Sequence, residues 1–188
     1  MNILWDFDGT LFDTYPAYTK IFTDVLGGKY TADEVLRELK ISFSSAIDRL
    51  GLNAEQLLET KRRGDLLLPE HFSTFPGVEQ VLQTADANVI MTHKPRAELM
   101  PILEYYGWTR YFADIVTPDD GFPRKPDPAA YRYLHERNRL DLIIGDREID
   151  ILPGKALGIR TCLFQNDTPG ADYYLWQYND FFNTVAGG

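Results

Sequence analysis

The chain has 188 residues, 44% of them hydrophobic, which suits one domain, or one domain with a modest insertion, around a proper core. A net charge of −9 and a pI near 4.8 speak against nucleic acid or an anionic membrane as the main partner, since both are polyanions that need clustered Lys and Arg. The single cysteine, Cys162, excludes an intramolecular disulfide, and its setting, Thr161-Cys162-Leu163-Phe164, reads as core in a protein of the reducing cytoplasm.

The opening run Asn2-Ile3-Leu4-Trp5-Asp6-Phe7-Asp8-Gly9-Thr10 predicts a strand over 3–8 that places Asp6 and Asp8 on one side, ahead of a glycine turn. Those two aspartates interrupt the apolar run, so it does not read as a signal peptide, and no stretch approaches the ~18 consecutive apolar residues a membrane span needs. A helix is predicted over 15–26, stopped by Gly27-Gly28. Helical spacing of leucines continues over 31–39, 45–50 and 53–67, with capping starts at Thr31-Ala32-Asp33-Glu34 and Asn53-Ala54-Glu55-Gln56. After Phe75-Pro76-Gly77-Val78 the pattern alternates: helix 78–85, strand 88–91, helix 96–106, strand 114–117, helix 128–137, strand 141–144, a short helix 151–157 and strand 160–164. Pro153 is tolerated only in a first turn, which starts that short helix at or after Ile151 or kinks it. The aromatic tail over 171–182 reads as helical. Strands alternating with helices imply right-handed crossovers and a doubly wound parallel sheet covered on both faces.

Parallel strands collect their C-terminal ends on one edge, so polar residues that end successive strands converge. Here those residues are Asp6 and Asp8, then Thr92, then Lys125 in the loop beyond Ile115-Val116-Thr117, then Asp146 with Asp150. Taken singly, each has a plainer reading. Thr92 is a strand-end cap, Lys125 a solvated loop lysine, and Asp146 and Asp150 complement a helix dipole. Taken together and in order, Asp-x-Asp-Gly-Thr, Thr, Arg124-Lys125-Pro126-Asp127-Pro128 and Gly145-Asp146-x-x-x-Asp150 resemble the four motifs of the haloacid dehalogenase (HAD) superfamily, across the whole chain.

That resemblance implies an α/β fold with a Rossmann-like core from 1–14 and 75–188 and an inserted α-helical cap from 15–74. It implies that Asp6 is the nucleophile and Asp8 the general acid/base, with Thr92 and Lys125 binding the transferring phosphoryl group. Mg²⁺ takes oxygen ligands, so Asp6, Asp146 and Asp150 are the implied metal ligands, Asp150 directly or through water, together with the main-chain carbonyl of Asp8. The nearest resemblance is to phosphoglycolate phosphatase-like members. The expected activity is therefore hydrolysis of a small-molecule phosphate ester by a monomer or homodimer. A β-phosphoglucomutase-like phosphotransferase is the enzymatic alternative, and a non-catalytic phospho-aspartate receiver the alternative of another class. Lys40-Ile41-Ser42-Phe43-Ser44-Ser45 resembles the polar turn of such caps. No catalytic role is read into His93, Lys94 or Arg96, which read as surface or helix-start residues, into Arg147-Glu148, or into His71 and His135, taken as surface.

Overall fold

A computed structural model describes residues Met1–Val185; the predicted end of the core segment, 186–188, lies outside the described residues. The chain divides into two units, one made of Met1–Phe12 with the chain from Thr74 onward, the other of Asp13–Ser73.

The first unit is built on β1 (Asn2–Trp5), β4 (Ala87–Met91), β5 (Phe112–Val116), β6 (Leu142–Gly145), β7 (Arg160–Phe164) and β8 (Tyr173–Leu175), in the sheet order β5-β4-β1-β6-β7-β8. Every neighbouring pair in this sheet is parallel. The short strands β2 (Phe12–Asp13) and β3 (Ser73–Thr74) form a second, two-stranded sheet. In β1, Leu4 and Trp5 point to opposite faces, and both are fully buried, so both faces are covered. On one face Leu4, Val89, Met91, Val116 and Ile143 pack with Ala130, Tyr131 and Leu134 of α7 (Ala129–Asn138). On the other, the Trp5 ring meets Tyr178 at 5.8 Å, and its Nε1 donates to Asn88 Oδ1 at 2.8 Å, which satisfies the indole where water cannot reach. The remaining helices of this unit are α5 (Val78–Thr84), α6 (Arg96–Tyr105), α8 (Glu148–Leu157) and α9 (Phe181–Thr184). The parallel sheet expected from the alternating pattern, and the Rossmann-like α/β class that the resemblance implies, are the observed ones.

In this unit helix α8 and the tail differ from expectation, and the strand predicted over 3–8 ends at Trp5. Helix α8 begins at Glu148, three residues earlier than predicted, because Arg147 N donates to Asp150 Oδ2 at 3.0 Å and closes the first turn ahead of the proline. Pro153 therefore lies inside the helix, where it lacks one N–H of the ladder. The tail holds strand β8, and only Phe181–Thr184 is α-helical. Tyr173, Tyr174 and Leu175 pair with Cys162, Leu163 and Phe164, so an open sheet edge outweighs the helical preference of an isolated segment.

Between its end residues Asp13 in β2 and Ser73 in β3, the second unit is built on helices: α1 (Tyr15–Val25), α2 (Ala32–Ile41), α3 (Phe43–Leu50) and α4 (Ala54–Gly64). Both predicted capping boxes form, Thr31 with Glu34 and Asn53 with Gln56. Tyr15, Phe22, Leu26, Val35, Leu39, Ala46 and Leu50 make this unit's own core. The expected polar turn over 40–45 is instead a helix junction. Lys40 and Ile41 end α2, and Ser42 alone is extended, accepting from Ser45 N at 2.9 Å to cap α3. The junction is held by apolar contact, since the Phe43 ring lies 4.8 Å from Tyr18. Cys162 is fully buried, and burial pushes its thiol up to about 12. Among the described residues no helix is long and apolar enough to cross a membrane.

Candidate active site

Three adjacent strands, β4, β1 and β6, end side by side, and each hands a polar residue to the same edge. Asp6 extends the ladder past β1, donating its N–H to Ile144 O at 2.9 Å; Thr92 does the same past β4, donating to Val116 O at 3.1 Å. Asp146 follows directly on β6. The backbone ladder therefore fixes these positions before any side-chain contact is made. Asp6, Thr92, Lys125, Asp146 and Asp150 are all buried. Such burial of charge is costly unless the charges answer one another.

Lys125 answers two of them. Its Nζ donates to Asp6 Oδ1 at 2.6 Å and to Asp150 Oδ1 at 2.7 Å. Burial alone would lower the lysine's pKa, but Asp150 and then Asp6 raise it well above the ordinary value, so it stays charged. Asp6 is pushed up from 3.8 to about 6, first by burial and then by Asp150, against the pull of Lys125 and Arg147. Burial acts on Asp150 in the same direction, yet Lys125, Arg147 and the Arg147 N–H hold its carboxyl below the ordinary value. The close approach of Asp150 needs a glycine at the end of β6: a Cβ on Gly145 would lie 2.3 Å from Asp150 Cβ.

Asp6, Asp146 and Asp150 each offer a carboxylate oxygen within 4.8 Å of one another. Asp6 Oδ2 is buried and has no hydrogen-bond partner among the described residues. Hard oxygen donors, clustered negative charge and an orphaned carboxylate oxygen fit Mg²⁺. The Asp8 side chain is not in this trio. Gly9, at φ +80°, turns the chain after it, and Asp8 Oδ1 lies 3.2 Å from Lys94 Nζ. Thr92 Oγ1 accepts from Lys94 N at 3.1 Å.

A family profile described as haloacid dehalogenase-like hydrolase matches residues 3–164. The chain belongs to that family. A phosphoglycolate phosphatase from Pseudomonas fluorescens is 27% identical over 84% of this chain, and the chain spans only 66% of that protein's length. Pyrophosphatase PpaX from Halalkalibacterium halodurans is 26% identical over 92% of this chain and 86% of its own. A crystal structure of a hydrolase from Streptococcus pneumoniae TIGR4 superposes with a TM-score of 0.69 at 34% identity, covering 88% of this chain and 92% of that one.

Within this HAD-like hydrolase, three residues to which the sequence gives no catalytic role lie in the site. His93 is half-buried and accepts from Lys125 N at 2.9 Å through Nε2. Burial, then the cations of Lys125, Arg124 and Arg147, push it down to about 3, which keeps the imidazole neutral and able to accept. Lys94 has only 4% of its side chain exposed. Arg147 Nε lies 3.7 Å from Asp146 Oδ1 and 3.6 Å from Asp150 Oδ2. Arg96 is a helix-start residue, as expected: it opens α6, its N–H donates to Asp119 and its guanidinium to Ile115 O. His71 is exposed, whereas His135 is half-buried rather than at the surface. A signal for His93 and Lys94 was available. Only three residues separate Thr92 from Arg96, and the last is Pro95, so a connection that short has to lie along the sheet edge.

Proposed function

We propose that the chain is a Mg²⁺-dependent phosphatase that hydrolyses a small phosphorylated metabolite through an aspartyl-phosphate on Asp6. The supporting observation is the buried Asp6 carboxylate, with Oδ1 on Lys125 and Oδ2 without a hydrogen-bond partner among the described residues, in an acidic trio with Asp146 and Asp150. At neutral pH a carboxyl with a pKa of about 6 is largely ionised and able to attack phosphorus. In the first half-reaction a bond forms between an Asp6 oxygen and phosphorus, the ester P–O bond breaks, and Asp8 gives its proton to the leaving oxygen. In the second, Asp8 takes a proton from water as that water attacks the same phosphorus and releases Asp6. Thr92, whose Oγ1 accepts from the Lys94 N–H, keeps its own proton for a phosphoryl oxygen, and Lys125 supplies fixed positive charge.

Asp6, Asp146 and Asp150, with the Asp8 carbonyl, would hold the Mg²⁺. Bound there, the ion supplies Lewis-acid charge at a phosphoryl oxygen and relieves the repulsion among the carboxylates. The buried free thiol of Cys162 and the acidic charge fit a cytoplasmic enzyme. The test is phosphate release from a panel of sugar phosphates, phosphoglycolate, nucleotides and cofactor phosphates, with and without Mg²⁺, ranked by kcat/KM. Failure of every ester in the panel would remove the phosphatase reading.

We also assign the segment 15–74 the role of a cap that selects among esters. Lys40→Ala and Ser44→Ala should then reorder the substrate panel while leaving vanadate inhibition unchanged. An unaltered ranking would move specificity elsewhere.

A further inference from the structure

Lys94 has a buried ammonium that the chemistry above does not use. Its side chain is 4% exposed, its Nζ lies 3.2 Å from Asp8 Oδ1 and 3.9 Å from Glu98 Oε2, and it sits 6.0 Å from the centre of the Phe7 ring. Glu98 is half-exposed, and of these two ion pairs the shorter is the one to Asp8. Desolvating an ammonium beside a carboxylate adds little stability over an apolar pair of the same volume, which turns attention to what the contact orients. Lys94 touches two groups of the proposed chemistry at once. Its backbone N–H donates to Thr92 Oγ1, and its ammonium forms an ion pair, without a hydrogen bond, with Asp8 Oδ1, so one residue links the phosphate donor and the acid/base.

We propose that Lys94 is a positioning residue for Asp8: by holding Oδ1, its ammonium leaves Oδ2 to exchange the proton with the leaving oxygen and then with water. This inference rests on the phosphatase reading. It assigns Lys94 no contact with phosphorus or its oxygens. When the P–O bond breaks, the bonding pair stays on the ester oxygen, and the proton that neutralises it comes from Asp8. A strongly basic alkoxide needs that proton, whereas nitrophenolate leaves without it. Loss of Lys94 therefore separates substrates by leaving group.

The experiment compares a primary alkyl phosphate with para-nitrophenyl phosphate in the wild type, Lys94→Met, Lys94→Gln and each change combined with Asp8→Asn. For the Lys94 variants we expect kcat/KM to fall roughly 10- to 100-fold on the alkyl ester, part of the ~10²- to 10⁴-fold that a positioned acid/base contributes, and to change by less than about threefold on the nitrophenyl ester. Because the second half-reaction still needs Asp8, rapid mixing should show a burst of nitrophenolate followed by slow turnover. In the Asp8→Asn background the same Lys94 changes should have no further effect. Equal losses on both esters, a raised KM with unchanged kcat, or full additivity with Asp8→Asn would each overturn the proposal. Two variants of different polarity guard against one that fails to fold. If the wild type hydrolyses neither ester, the phosphatase reading itself fails; if it hydrolyses both and the Lys94 variants lose both alike, only the role of Lys94 fails.

Discussion

Replacing Asp6 by Asn should abolish turnover and at the same time make the metal-free protein more stable at neutral pH. The amide has nearly the shape of the carboxylate and keeps an oxygen to accept from Lys125 Nζ, but it cannot attack phosphorus. The gain follows from the rise of the Asp6 pKa from 3.8 to about 6, caused first by burial and then by Asp150. A folded-state pKa above the unfolded one means that protonated Asp6 favours the fold. That contribution is whole below pH 3.8, is lost as the pH rises through about 6, and is absent above it. The rise corresponds to about 3 kcal/mol at neutral pH. Asparagine carries no such penalty at any pH. For a chain of this size the difference amounts to a melting temperature higher by ~6 to 12 °C at pH 7.5 in EDTA, shrinking towards zero near pH 4. Saturating Mg²⁺ should narrow the gap from the other side, because an ion that binds the native carboxylates stabilises the wild type by mass action. Thermal melts of both proteins at several pH values, with EDTA or with Mg²⁺, read all of this. An Asp6→Asn protein less stable than the wild type at pH 7.5 in EDTA, or a difference that does not change with pH, would refute the electrostatic account. Wild-type turnover, with deamidation excluded, would refute the nucleophile.

Asp146→Ala should weaken Mg²⁺ binding steeply in isothermal titration calorimetry, a readout independent of turnover; an isotherm matching the wild type would take Asp146 out of the metal site. His93, pushed down to about 3, stays neutral in the fold while an unfolded histidine takes up a proton below 6.5, so it costs stability progressively as the pH falls from 6.5 towards 3. His93→Gln should therefore flatten the acid side of the stability profile relative to the wild type, and an unchanged difference between pH 7 and pH 4 would show that the imidazole does not contribute.

Much of this protein is legible in its sequence because the signals are local. Alternating apolar runs mark the strands, Thr31 and Asn53 with their partners three residues on mark helix starts, and Gly27-Gly28 mark a stop, all within a turn or two of chain. The order of polar strand ends, from Asp6 through Thr92 and Lys125 to Asp146, is local in the same sense, and the resemblance to a family rests on it. The tail differs from the helix its sequence predicts because Tyr173–Leu175 becomes a strand only when β7 offers an edge. Helix α8 starts early because one carboxylate, Asp150, both closes the first turn and accepts from a lysine 25 residues away. Arg147 carries no mark that separates it from a surface residue, and the short span after Thr92 puts His93 and Lys94 at the sheet edge without naming their partners. What distinguishes them is that β4, β1 and β6 lie side by side and bury their loops together, so that Lys94 meets Asp8, His93 meets Lys125 and Arg147 meets Asp146 and Asp150. Strand adjacency is a property of the whole sheet. The distances, burial and shifted pKa values of these residues arise only when distant segments exclude water together.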